Sequence, residues 1–291
     1  MKNLDSILAG KKTVGISGHV RPDGDCVGST LAVYNYIRTY FPEIKAEIFL
    51  EPIPHIFEFL ANSNEIDHEY PDREAFDLFI CLDCGDVGRL GNAAKYFEAA
   101  KSTACIDHHV SNQSFADENY IFPHASATCE LVFELIDTDK ITKEIAECLY
   151  TGMVHDTGVF QYSCTSAHTM ESAGVLKEKG IAFTEIVDST FYTKTYDQNR
   201  IMGQVLVDSV LYLDGKVILG MVTAEMMKEF HVLPKHLDGI VNQLRVTKDV
   251  EVAVFAQHFK GGGHVKAAGF TMYGKPEEFI PEILAEIEKL L

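Results

Sequence analysis

Through the first 120 residues, short β-branched apolar runs alternate with stretches whose apolar positions recur every three or four residues. TVGISGH (13–19) predicts a strand, and DCVGSTLAVYNYIRTYF (25–41) predicts an amphipathic helix after it. AEIFL (46–50), DLFICLD (77–83) and TACID (103–107) predict three more strands, separated by helical or turn segments. This alternation predicts an α/β fold, a parallel sheet with helices on both faces. Ligands of such sheets bind beyond the carboxyl ends of the strands.

From about 125 to 205 the pattern is mostly helical, ending in a run from Phe183 to about Val205 that is expected to cross between domains. VDSVLYLDGKVILGMV then predicts a β-hairpin with Asp214-Gly215 at its turn. Helical segments around 223–246, the strand VEVAVFA (250–256), a glycine-rich loop and a closing helix (276–290) predict a smaller C-terminal α/β domain. The expected boundaries are 1–185 for the first domain, 186–205 for a linker helix and 206–291 for the second domain.

Length agrees, since 291 residues suit two domains at about 150 residues each. With 46% hydrophobic and 23% charged residues the composition is that of a soluble globular protein. No apolar stretch reaches the ~18 residues of a membrane span. MKNLDSILAGKKTVG lacks the apolar core of a signal peptide. A cytoplasmic protein without a membrane partner is expected. The seven cysteines are scattered and mostly lie in apolar stretches, as reduced core thiols do. Cys81 and Cys84 form a CxxC with no second pair to complete a zinc site. The formal net charge of −18 argues against a grip on long duplex DNA, which needs a basic face. A small anionic substrate remains compatible where metal ions reverse the field of one cleft.

Four short segments concentrate Asp and His at predicted element ends. They are His19-Val20-Arg21-Pro22-Asp23-Gly24-Asp25, Leu82-Asp83-Cys84-Gly85-Asp86, Asp107-His108-His109 and His155-Asp156-Thr157-Gly158. Each has a bland reading. An Asp-Gly-Asp loop after a strand is often a turn with a helix N-cap, and Asp25 could be that cap. Together they say more, because three of them would converge on one edge of a parallel sheet. Carboxylates mixed with imidazoles suit Mn²⁺ or Mg²⁺, Mn²⁺ first. Two such ions ~3.5–4 Å apart clamp the attacking and leaving oxygens of a phosphoryl displacement. Asp83 is the natural bridging carboxylate, since its segment lies between the others.

These motifs resemble those of the DHH phosphoesterase family. HVRPDGDCVGS, LDCGD, IDHH and HDTGVF are similar to its four metal-site motifs in order, and Gly261-Gly262-Gly263-His264 with VKAAGF resembles the glycine-rich motif of its associated substrate domain. The resemblance implies one ion on His19, Asp23 and Asp83, and a second on Asp25, Asp83, His108 and Asp156. It implies that Asp107 orients a metal-bound His and that His109 meets the scissile phosphate or the leaving oxygen. Gly261, Gly262, Gly263 and His264 are expected to bind substrate, with Arg89 a further candidate beside the second motif. The subgroup implied trims very short single-stranded RNAs and removes phosphate from 3′,5′-bisphosphonucleosides, and a homodimer is left open. Alternatives are a linear or cyclic dinucleotide phosphodiesterase, a family II inorganic pyrophosphatase, and a non-catalytic sensor on the same fold. The pyrophosphatase reading lacks its basic Ser-Arg-Lys-Lys segment here.

The resemblance also implies a segment that this chain lacks. Similar chains follow a strand like VEVAVFA with a hairpin partner and a helix, about 25–35 residues at ordinary element lengths. Here AQHFK runs straight into Gly261, and AQHF reads as the last turn of a helix that has no beginning. The strand before it is expected to lack a neighbour.

Overall fold

The computed structural model describes residues 3–237, 239–257, 262–264, 267–271 and 276–289. The chain divides into two compact units, residues 1–193 and 194–291. Among the described residues no helix is long and apolar enough to cross a membrane.

In the first unit the elements are α1 (Leu4–Leu8), β1 (Thr13–Ser17), α2 (Gly24–Tyr40), β2 (Lys45–Phe49), β3 (Ile66–Asp67), β4 (Leu78–Leu82), α3 (Ala94–Ala99), β5 (Thr103–Asp107), β6 (Glu118–Ile121), α4 (Thr128–Leu135), α5 (Lys143–Asp156), α6 (Ala167–Glu178) and α7 (Phe183–Val187). The six strands lie in the order β3-β2-β1-β4-β5-β6, all parallel. Period-two alternation divides β4 between two cores. Leu78, Ile80 and Leu82 face a core built with α2, α4 and α5, whereas Phe79 and Cys81 join Phe49, Phe76, Tyr96 and Phe97 on the other side. Helices therefore cover both faces, as a parallel sheet requires.

The site depends on how closely α2 approaches α4 and α5. Gly28 sits at this crossing. A Cβ there would lie 2.5 Å from the Cys148 carbonyl oxygen and 3.1 Å from Cys129 Sγ. Gly152 answers it from α5, where a Cβ would fall 2.2 Å from Cys129 Sγ and 2.7 Å from Asp25 Oδ1.

The run expected from Phe183 to Val205 is not one helix. After α7 the chain makes a wider turn over Asp188–Tyr192, closed by the Thr193 amide on the Asp188 carbonyl at 2.7 Å. A new helix, α8 (Tyr196–Asp208), starts with its own capping box from Thr195 and Gln198. The break follows from that cap, which fixes Thr195 in an extended conformation.

The second unit continues with β7 (Val210–Tyr212), β8 (Val217–Val222), α9 (Ala224–Glu229), α10 (Ile240–Arg245), β9 (Val252–Gln257), β10 (Gly262–His264), β11 (Ala267–Thr271) and α11 (Pro276–Glu288). Its sheet order is β10-β11-β9-β8-β7. Ile201, Val205, Leu244 and Phe255 pack on one face, and Ile280, Leu284 and Ile287 on the other against Val217, Leu219 and Val254. The hairpin turn has Leu213, Asp214 and Gly215 all at positive φ, so it is longer than a two-residue Asp-Gly turn.

Two expectations at the glycine-rich segment are corrected. Ala256 and Gln257 end a strand, not a helix, and β9 is paired on both sides, with β8 and β11. The partner that a lone strand would need is supplied later in the chain by Ala267–Thr271, in parallel. Gly262, Gly263 and His264 form β10, antiparallel to β11, not a loop. Gly261 and residues 258–260 lie outside the described residues.

Because Gly28 faces backbone, an added methyl has no flexible side chain to displace. Gly28→Ala should destabilise the protein by about 1–3 kcal/mol, the usual cost of overpacking. The midpoint of urea unfolding reads this directly, and an unchanged midpoint would mean the helices separate freely.

Candidate metal centre

β1, β4 and β5 are neighbours, and the chain leaves each at the same edge of the sheet. His19 follows β1 by two residues, Asp83 follows β4 at once, and Asp107 ends β5 with His108 and His109 beyond it. α2 begins at the same edge with Asp23 as its N-cap, and α5 ends in Asp156. All four Asp/His segments therefore lie in the first unit at element ends.

Asp83 is held in the left-handed region at φ 53°, unusual for a residue with a side chain, while its amide donates to the Ile106 carbonyl at 3.0 Å. Its carboxylate lies between two strands. Oδ2 is 3.4 Å from His19 Nε2, and Oδ1 is 3.6 Å from His108 Nε2 and 3.6 Å from His109 Nδ1. Oδ1 also accepts the Thr128 hydroxyl at 3.1 Å. Each oxygen thus faces a different side of the edge, Oδ2 towards His19 and Oδ1 towards His108 and His109.

Asp23, not Asp25, caps α2. Its Oδ1 accepts the amides of Asp25 (3.2 Å) and Cys26 (3.1 Å), and lies 3.6 Å from His19 Nε2. Asp25 is fully buried and caps a different helix. α4 starts after Ala127, which has no capping side chain, and the two oxygens of Asp25 accept the amides of Thr128 (2.6 Å) and Cys129 (2.9 Å). Neither cap uses up the carboxylate, since the cap leaves Asp23 Oδ2 out and takes one amide on each Asp25 oxygen.

Both candidate ligand imidazoles are oriented through Nδ1. His19 Nδ1 faces the Val20 carbonyl at 2.9 Å and His108 Nδ1 the Ala125 carbonyl at 3.3 Å. Donation from Nδ1 leaves Nε2 directed at the carboxylates, as in a metal ligand. His108 Nε2 lies 3.1 Å from Asp156 Oδ2 and 3.9 Å from Asp25 Oδ2. Asp25, His108 and Asp156 thus offer donors within 4.8 Å of one another, as do Asp83, His108 and His109. A third such group joins His19 and Asp83 to Cys26, a residue the motifs did not single out.

Charge supports the assignment of a cation site. Burial opposes a proton on His19, but its hydrogen bonds to Asp23 and Asp83, which accept, outweigh it and raise its pKa to about 11. For His108 the same contest, against Asp156 and Asp25, ends at about 10. Burial and the neighbouring Asp83 push Asp156 up to about 6, and burial with Asp83 and Asp156 pushes Asp25 well above the carboxylate range. The carboxylates outnumber the imidazoles, so the donor set fits hard divalent cations.

Asp107 orients His109, not His108. It is fully buried and accepts His109 Nδ1 at 2.7 Å, while its other oxygen accepts Asn112 Nδ2 at 2.7 Å. His108 instead takes its orientation from the Ala125 carbonyl. The hydrogen bond to Asp107 raises the pKa of His109 and engages its Nδ1. Arg89 reaches this region through its backbone, its carbonyl accepting the Val20 amide at 2.7 Å. Among the described residues its guanidinium makes no hydrogen bond or ion pair. Gly262, Gly263 and His264 belong to the second unit.

Sequence reasoning missed the supports. Thr128, Asn112 and the amides of α4 carried no signal of their own. Glu130 did, as a buried acid in the first turn of α4, where it accepts the Ser126 amide at 2.7 Å and the Thr169 hydroxyl at 3.2 Å. His155, in the fourth segment, bonds the Thr190 hydroxyl at 2.9 Å and packs its ring against Phe57.

Known proteins resemble the chain over most of its length. Residues 13–153 match the DHH family, N-terminal domain. The chain is 28% identical over 281 residues to the bifunctional oligoribonuclease and PAP phosphatase NrnA of Thermus thermophilus, covering 89% of this chain and 84% of that one. It is 25% identical over 305 residues to the Bacillus subtilis protein of the same name, covering 96% and 94%. A crystal structure of an exopolyphosphatase-related protein from Bacteroides fragilis superposes with a TM-score of 0.89 at 27% identity, covering 98% of this chain and 94% of the other.

The raised pKa values fix a pH dependence. A group that holds its proton more tightly when folded stabilises the fold while protonated, and that stability is lost as pH rises from its unfolded to its folded value. For Asp156 the loss runs from about 3.8 to about 6, with Asp25 acting in the same direction. For the imidazoles it runs from 6.5 towards about 10 and 11. Chelator-treated protein should therefore show a Tm that falls between pH 6.5 and 9, and divalent ions should raise Tm more at pH 9 than at pH 6.5. A Tm that climbs with pH in the chelated protein would contradict the site's electrostatics.

Proposed function

We propose, from the premise that the chain is a DHH-family protein, that it is a two-ion phosphoesterase acting on short oligoribonucleotides and on 3′,5′-bisphosphonucleosides such as pAp. The observation that carries this reading is the Asp83 carboxylate, whose two oxygens face His19 on one side and His108 on the other. The relatives named as bifunctional oligoribonuclease and PAP phosphatase support the substrate class.

In this reading His19, Asp23 and Asp83 hold one ion, and Asp25, Asp83, His108 and Asp156 the other. The ions, Mn²⁺ before Mg²⁺, would polarise the phosphate and lower the pKa of water. The remaining work belongs to the chain. Asp107 holds Nδ1 of His109, and that hydrogen bond favours the proton on the imidazole. Nε2 of His109 can then give its proton to the leaving oxygen, a step worth ~10²–10⁴-fold in rate. Arg89 would hold a substrate phosphate, and Gly261, Gly262, Gly263 and His264 would contact the nucleotide. Dinucleotide phosphodiesterase activity is the second reading, because the same ion set serves any phosphate ester.

A panel of pAp, pyrophosphate, cyclic di-AMP, pApA and RNA 2- to 5-mers, each with Mn²⁺, separates the substrates. Turnover of pAp and of short RNA is expected, and pyrophosphate as the preferred substrate would overturn the reading. Excess chelator should abolish activity, and Mn²⁺ should restore it better than Ca²⁺, which prefers longer bonds and more ligands.

Two substitutions divide the roles. Asp83→Ala should lose more activity than any other single ligand change and should weaken both ions in a Mn²⁺ titration. His109→Ala should retain Mn²⁺ affinity and lose about 10²–10⁴-fold in kcat. Two intact sites in Asp83→Ala would remove the bridging assignment.

A further inference from the structure

Six of the seven cysteines lie outside any three-donor group among the described residues, and Cys26 alone belongs to one. Its Sγ, a ring nitrogen of His19 and a carboxylate oxygen of Asp83 all lie within 4.8 Å of one another, and all three residues are buried. The backbone sets this position. Asp23 caps the Cys26 amide at 3.1 Å, so the first turn of α2 carries the Asp23 carboxylate and the Cys26 thiol as one rigid piece. Gly18 leaves the space the sulfur occupies, since a Cβ there would stand 2.3 Å from Sγ. The hydrogen bond the thiol makes is a long one, to the His19 carbonyl at 3.8 Å. The proton itself is held tightly by burial beside Asp83 and Asp23, so only a cation that offsets those carboxylates displaces it.

We propose that Cys26 is a further ligand at the His19/Asp83 ion position when that position takes a thiophilic divalent ion such as Co²⁺, Zn²⁺ or Cd²⁺. This rests on the ion-site reading above and adds a residue to it. On coordination the S–H bond breaks, its proton leaves to solvent, and the sulfur electron pair enters the ligand bond. Soft thiolate donors favour Zn²⁺ and its soft relatives, whereas Mn²⁺ and Mg²⁺ favour oxygen. The Asp25/His108/Asp156 position offers nitrogen and oxygen alone. The two positions therefore differ in the ions they select, and Cys26 makes the difference.

Cobalt spectroscopy tests this without reference to turnover. Cys164 is exposed, so the full chain is titrated with Co²⁺ in a Cys164→Ser background. A sulfur-to-cobalt charge-transfer band in the near ultraviolet is expected, together with visible ligand-field bands. Cys26→Ala and Cys26→Ser should lose the charge-transfer band and keep ligand-field bands. Their Cd²⁺ affinity should fall at least tenfold while Mn²⁺ affinity stays within about twofold. Cobalt bound with ligand-field bands and no charge-transfer band overturns the Cys26 assignment and leaves the ion sites standing. A charge-transfer band undiminished in Cys26→Ala overturns that assignment as well. Failure of Co²⁺ and Mn²⁺ to bind at all would overturn both. The spectrum of the parent protein decides the matter even where a variant fails to fold.

Discussion

The structure depends on keeping three largely buried carboxylates, Asp25, Asp83 and Asp156, together at one edge of a parallel sheet. An unpaired buried charge costs several kcal/mol, so every nearby element supplies something positive. α4 gives its first two amides to Asp25, Thr128 gives its hydroxyl to Asp83, and His108 faces all three carboxylates. These partners are not sufficient, because Asp25 and Asp156 still hold their protons more tightly than ordinary carboxylates. A bound cation would remove the remaining mismatch. Affinity for a cation and instability without one would then be two views of one constraint.

That constraint explains features with no visible chemistry. Gly28 and Gly152 let α2 and α5 close on Cys129, which brings the first turn of α4 onto Asp25. Glu130 reaches back to the Ser126 amide and so fixes the start of α4, where the two donors to Asp25 lie. The left-handed turn at Asp83 is backbone strain of the kind that persists only where surroundings over-determine it. Here His19, His108 and Thr128 do so.

The fold class was legible because parallel strands and amphipathic helices alternate with clear periods. Three of the four Asp/His segments announced their convergence by ending strands. Other features depend on contacts distant in sequence, which no local pattern records. Asp25 looked like a cap of its own helix but caps α4, more than 100 residues later in the chain. AQHF resembled a helix end by composition, yet Ala256 and Gln257 continue β9 because β11 arrives to pair with it. Asn112 and Thr128 are ordinary polar residues until the fold places them beside Asp107 and Asp83.

The Asp-His-His triplet shows how one short motif serves two tasks. Asp107 ends β5 in register with Cys105, on the sheet face of the aromatic and cysteine cluster, and Asn112 ties it there through Cys84 and Cys105. His108 turns to the opposite layer, where the Ala125 carbonyl and the carboxylates of Asp25 and Asp156 receive it. His109 returns to Asp107. The two rings stand 5.1 Å apart at 70°, yet each is anchored in a different layer of the unit. Had both taken their orientation from one carboxylate, any change that tuned the proton donor would also have moved an ion ligand. In the proposed mechanism, separate anchors would let His108 stay fixed on an ion while the imidazole held by Asp107 gains and loses its proton.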